Sequence, residues 1–147
     1  MPIKDCPFSV YAQFGDEPRP ILPVRIINPH TGKRIQTIGI IDTGADECSI
    51  PADYAPLLGH DLQSGHIKQV YTGNGMTTAY SHTTRFEILH PASFDLLYTV
   101  DDIPVDFLPN LHIVLLGVNN FLSKFILNID YPKHIFSILM KNFVPKD

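Results

Sequence analysis

Apolar and polar residues alternate along most of this chain, and a period of two predicts strands with one face buried. Phe8, Val10, Ala12 and Phe14 fall on one side of such a stretch, with Ser9, Tyr11 and Gln13 on the other. Val24–Asn28 and Ile35–Ile41 are apolar, β-branched runs on either side of Pro29-His30-Thr31-Gly32-Lys33, the pattern of a hairpin and its loop. Phe94, Leu96, Tyr98 and Val100 alternate again, and Ile113–Leu116 is a short apolar run expected to be buried on both sides. Phe125, Leu127, Ile129 and Tyr131 lead through Asp130–His134 into Ile135–Leu139, a terminal hairpin. Two short segments read as helical. Pro51–Leu58 starts on a proline and stops at Gly59, and Val118–Phe125 has room for one or two turns.

Composition sharpens this picture. The 147 residues suit one domain, 1–147, with a core over about 8–140. Hydrophobic residues make up 44% and charged residues 18%, which excludes a disordered chain. The 13 prolines are roughly twice the usual ~5% and favour short elements over long helices. The expected class is all-β with one or two short helices. A net charge of −4, scattered along the sequence, offers no basic stripe for nucleic acid. Phe107–Ser123 carries no charge, yet it contains Pro109, Asn110, His112, Asn119 and Asn120 and makes a poor membrane span. The first residues lack a basic start followed by an apolar run, so no signal peptide is expected, and cytoplasm is the default location. Cys6 and Cys48 are then expected to be free thiols.

One segment carries chemistry. In Ile38-Gly39-Ile40-Ile41-Asp42-Thr43-Gly44-Ala45-Asp46-Glu47-Cys48-Ser49-Ile50-Pro51, an apolar strand delivers a carboxylate, a hydroxyl and a glycine before the chain turns apolar again. A charge at the end of a hydrophobic strand is costly unless it is satisfied or used. The bland reading of Asp42 is a loop aspartate bonded to its own backbone. The sharper one rests on two further segments in order. Val114-Leu115-Leu116-Gly117 ends an apolar run on a glycine, and Gln69–Thr78 is a hairpin with Gly73-Asn74-Gly75 at its tip and Tyr71 near its base.

Together these segments resemble the retropepsin-like, single-domain aspartic peptidases, over about Val24 to Leu139. The resemblance implies a closed β-barrel or sandwich equivalent to one pepsin lobe, with a flap hairpin. It implies catalysis by Asp42, an active-site loop of Thr43, Gly44 and Ala45, and structural support from Leu116 and Gly117. Substrate contacts would come from Asp46, Glu47, Tyr71, Gly73, Asn74 and Gly75, with no metal or other cofactor. Asp46 and Glu47 also read as solvated turn charges, and Tyr71 as a half-buried strand residue.

One aspartate does not suffice for this chemistry, which needs a carboxylate as base and a carboxylic acid as proton donor. Two like charges ~3 Å apart at an effective dielectric of ~20 repel by about 5 kcal/mol, so the pair shares one proton. Asp42-Thr43-Gly44 is the only such triplet in the chain. The resemblance therefore implies a homodimer that joins two copies of Asp42 on a two-fold axis and takes an extended peptide or protein as substrate. Ala45 cannot donate a hydrogen bond to the carboxylate as a serine could, which predicts an optimum less acidic than that of serine-bearing relatives.

Val118 stands where retroviral enzymes carry an arginine that pairs with the acid beyond the catalytic loop, leaving Arg25 and Arg85 as candidate partners of Asp46. The seven histidines are too scattered for a zinc site. Cys48 reads as a buried small hydrophobe, and Asp101-Asp102 as a turn before Pro104. The competing functional reading is a retropepsin-fold module that dimerises or captures peptide without cleaving it. A third is one domain of a larger polyprotein, on which Met1–Pro7 and Phe143–Asp147 are silent.

Overall fold

The computed structural model describes residues 3–140; Met1, Pro2 and Phe143–Asp147 of the ends discussed above lie outside the described residues. Among the described residues twelve strands follow one another: β1 (Ile3–Pro7), β2 (Ser9–Val10), β3 (Pro18–Arg19), β4 (Ile21–Ile27), β5 (Arg34–Ile41) and β6 (Ser49–Pro51), then β7 (His66–Thr72), β8 (Gly75–Leu89), β9 (Leu96–Leu108), β10 (Val114–Leu116), β11 (Phe125–Asp130) and β12 (Ile135–Met140). Seven form one sheet in the order β4-β5-β10-β6-β9-β8-β7, and β4 also pairs with β8. That extra pairing, Val24 to Ile27 against Arg85 to Ile88, closes the sheet on itself. Closure pairs β4 with β8 and leaves β7, beyond that junction, as the strand paired on one side. The 15-residue β8 makes it possible, because its second half pairs with β4 while its first half runs out to form a hairpin with β7.

The inside of the barrel is filled by Leu22, Val24, Ile26, Ile50, Phe86 and Phe107, with Val114 and Leu116 from the short run between loops. Arg25 interrupts the buried β4, and its guanidinium donates to Glu87 at 2.8 Å from the cross-strand position. The hairpin expected around Pro29–Lys33 is present as β4 and β5, and the terminal hairpin as β11 and β12.

Three local readings are corrected. Phe8–Phe14 is not one continuous strand: only Ser9–Val10 is β, in a two-residue pairing with Pro18–Arg19. The open edge of β12 is taken instead by Ile3–Pro7, and Ala12–Phe14 is a single 3-10 turn. Phe8 leaves the alternation to stack on His134, with ring centroids 5.4 Å apart. Alternation marks a chain that can bury one face, but here only two residues find a partner strand and both stay exposed.

The helix expected over Pro51–Leu58 is two 3-10 turns, Ala52–Tyr54 and Pro56–Leu58. Pro56 has no N–H for an α-helical bond and its ring crowds the preceding turn. Gly59 does stop the segment, at φ 78. Val118–Phe125 likewise holds one 3-10 turn, Leu122–Lys124.

Asp101 and Asp102 lie within β9, not in a turn. Thr84 pairs with Ile103 and Phe86 with Val100, so two aspartates face Arg85 alone in a β-bulge. Arg85 grips Asp102 with two bonds, at 2.9 and 3.2 Å.

His60 packs against His82 and Phe107, with ring centroids 4.5 and 5.5 Å away. Burial, then the neighbouring imidazoles of His82 and His30, hold its pKa below the ordinary 6.5. Above that value His60 is neutral in both folded and unfolded chains, and its contribution to stability is complete. As the pH falls through it, the unfolded chain takes up a proton that the folded chain refuses, and stability declines. Urea midpoints measured from about pH 7.5 to 5.5 should fall, and His60→Gln should flatten that slope.

Candidate active site

The loop from Asp42 to Cys48 joins β5 to β6 and is held from beneath by the turn after β10. The Asp42 amide donates to Leu116 O at 3.1 Å, which fixes the aspartate at the end of its strand. Its Oδ1 accepts from the Gly44 amide at 3.0 Å, so one face of the carboxylate is oriented by backbone. Val118 N–H donates to Ala45 O at 3.0 Å and Asn119 N–H to Asp46 O at 2.7 Å. Asn120 Oδ1 then accepts from the Cys48 amide at 2.8 Å.

Gly117 explains why that turn needs a glycine. A Cβ there would overlap the backbone carbonyl of Glu47 and lie 2.8 Å from Ala45 O. The Gly117 amide donates to Cys48 Sγ at 3.3 Å. Cys48 is fully buried, and burial pushes its thiol up to about 12, against the Gly117 amide, which pulls it down. Cys6 is also buried, and both cysteines are free.

Asp42 sits at the floor of a cleft of about 460 Å³ between this loop and the β7–β8 hairpin. The hairpin turns on Gly73-Asn74, between the paired Thr72 and Gly75. Of the residues read from sequence, Asp42, Gly44, Ala45, Asp46, Glu47, Tyr71 and Gly73 line the cleft. Asn74 and Gly75 are at the hairpin tip, with Asn74 facing a separate hollow beside Pro109 and Leu111. Thr43 is exposed at the loop surface. Tyr71 is not half-buried: it is 82% exposed and stands opposite Met76. Alternation along β7 puts it on the other face from Lys68 and Val70.

Neither candidate partner of Asp46 pairs with it, since Arg25 holds Glu87 and Arg85 holds Asp102. Asp46 is exposed, and its main-chain carbonyl is what ties it to Asn119. The cation of the cleft comes from the hairpin. Lys68 Nζ is 3.1 Å from Asp106 Oδ2 and 3.4 Å from Glu47 Oε2. Asp106, on β9, is only 5% exposed. Burial raises its pKa, and Lys68 partly offsets that rise. Partial burial works against the Lys68 ammonium, but Asp106 and Glu47 together hold its pKa above the ordinary value.

Sequence reading missed Lys68, Asp106 and Asn120. Asp106 follows Pro104-Val105 in an apolar run, and a carboxylate before Phe107-Leu108 is the one signal that could have marked it. Among the described residues no three His, Cys, Asp or Glu side chains gather to hold a metal ion, and no helix is long and apolar enough to cross a membrane.

In structure the chain is similar to a retropepsin-like aspartic protease from Rickettsia conorii. The two share 18% identity, the match covers 92% of this chain and 98% of that one, and the TM-score is 0.57. No family model and no curated protein matches the sequence. The chain has the all-β retropepsin-like fold, with the Asp42 loop and the glycine turn beneath it at one end of the barrel.

Proposed function

We propose that the protein is an aspartic endopeptidase that acts as a two-fold homodimer. The observation that carries this reading is Asp42 at the end of β5, with its carboxylate oriented by Gly44 on the floor of a cleft roofed by a hairpin. The fold of the Rickettsia conorii protease supports it. Asp106, the buried carboxylate of the same cleft, is committed to Lys68 and does not serve as a second acid. The missing partner is Asp42 of another copy, and the exposed Thr43 lies on the loop where the copies would meet.

In the dimer the two Asp42 carboxyls hold one proton. The ionised one takes a proton from water as its oxygen attacks the peptide carbonyl carbon, and the protonated one gives its proton to the carbonyl oxygen. In the resulting gem-diol, the newly protonated Asp42 gives its proton to the amine nitrogen while the other takes one from a diol hydroxyl. The C–N bond breaks, a carboxylic acid and an amine leave, and the pair again holds one proton. An extended peptide would lie beneath the hairpin as an added strand, held by backbone hydrogen bonds. No cofactor takes part.

The competing module would bind peptide and leave it whole. Both are tested by titrating the protein with a transition-state-mimicking inhibitor of aspartic proteases while following peptide cleavage. The expected result is cleavage that stops at about one inhibitor per two chains. Peptide binding without cleavage across about pH 3 to 8 would favour the module. Ala45→Ser should move the pH–rate profile to lower pH by adding a donor beside the carboxylate, and an unmoved profile would count against the orientation described for Asp42.

A further inference from the structure

The β7–β8 hairpin is poorly attached for a roof. β7 is the last strand of its sheet and pairs only with β8. Within the hairpin, Gln69 Nε2 donates to Thr78 Oγ1, and Thr72 Oγ1 bonds Asn74 and Gly75. Among the described residues, one side chain of its outer strand makes ion pairs beyond the hairpin, and that is Lys68, which reaches across β8 to Asp106 and over to Glu47. Its two acceptors come from different places, Glu47 from the catalytic loop and Asp106 from β9.

Asp106 makes a firm anchor. Its ladder neighbours are Ser49 on β6 and Ser81 on β8, neither of which carries a charge. The charged groups that act on it are Lys68 from the hairpin and Glu47 from the loop, with Asp42 and Asp46 on the same cleft wall. A carboxylate buried this far depends on its cation, because removing Lys68 would leave its charge uncompensated.

We propose that Lys68 is a positioning residue of this active site, whose ion pairs to Asp106 and Glu47 tie the hairpin down over Asp42 and set its height above bound peptide. The kinetic consequence rests on the protease reading; the tether itself does not. The tether needs Asp106 ionised. It is lost as the pH falls through the Asp106 pKa, which burial has placed above the ordinary carboxylate value. Protonation of Asp106 removes a buried charge as it frees the hairpin, so opening is local and the barrel is not weakened by it.

The test is 15N relaxation of the Val70–Gly75 amides in the full chain, with cleavage kinetics alongside. In Lys68→Met the order parameters should drop from the rigid range of about 0.85 towards about 0.6, and Lys68→Arg should keep them high. Wild type should show the same drop on acidification, which requires no variant to fold, and Asp106→Asn should show it already at neutral pH. KM should rise about tenfold in Lys68→Met with kcat nearly unchanged. A hairpin equally rigid in Lys68→Met and in acidified wild type overturns the tether, whatever the activity. Loosening in a chain that cleaves nothing upholds the tether and sinks the protease reading alone.

Discussion

Asp42→Asn is expected to abolish the proposed peptide hydrolysis, lowering kcat by at least about 10³-fold, and to leave the fold in place. The asparagine is nearly the same size and its side-chain oxygen can still accept from the Gly44 amide, so the bond that orients the carboxylate survives. What disappears is the capacity to exchange a proton. In a symmetric dimer both members of the pair change together, leaving neither base nor acid. Initial rates on a peptide substrate measure the loss, and a thermal melt shows that it is not unfolding. The melt should stay level, because no buried ion pair is broken. Residual cleavage within tenfold of wild type would place the chemistry elsewhere.

Gly117→Ala has the largest expected effect on stability. The added methyl would enter the Glu47 carbonyl group and come within 2.8 Å of Ala45 O, and these are backbone atoms that cannot swing aside. Overpacking against flexible side chains typically costs 1–3 kcal/mol, so about 3 kcal/mol or more is expected here. Gly39→Ala provides the contrast. Its methyl would meet the side chain of buried Leu116, Cγ at 2.9 Å, rather than backbone, and a smaller cost of about 1–2 kcal/mol is expected. Urea unfolding of the two variants measures the difference. The surviving folded fraction of Gly117→Ala should also lose activity, since the loop it displaces carries Asp42 through the bonds from Val118 and Asn119. Equal costs for the two substitutions would mean that the turn does not press on the loop as described.

Much of this molecule is legible where neighbours in sequence are neighbours in space. The β4–β5 and β11–β12 hairpins announce themselves because alternation and turn residues act locally. The Asp42 loop is legible for a different reason: a carboxylate ending an apolar run is costly, and the glycine beside it permits the tight turn. Contacts between distant segments leave no such mark. Phe8–Phe14 shows the period of a strand, yet the free edge went to Ile3–Pro7. Lys68 and Asp106 meet because β6, β8 and β9 bring the aspartate beneath the hairpin, and no spacing within the sequence encodes that approach. Asp101 and Asp102 look like a turn, but a bulge set by the longer ladder puts both opposite Arg85.

The proposed activity requires two chains to share one reaction centre. Equal amounts of wild-type and Asp42→Asn chains, unfolded together and refolded, test that most directly. If each centre needs an intact Asp42 from both copies, random pairing leaves about one quarter of the activity of the same total of wild-type protein. About one half would mean that each chain works alone, and would contradict the shared dyad.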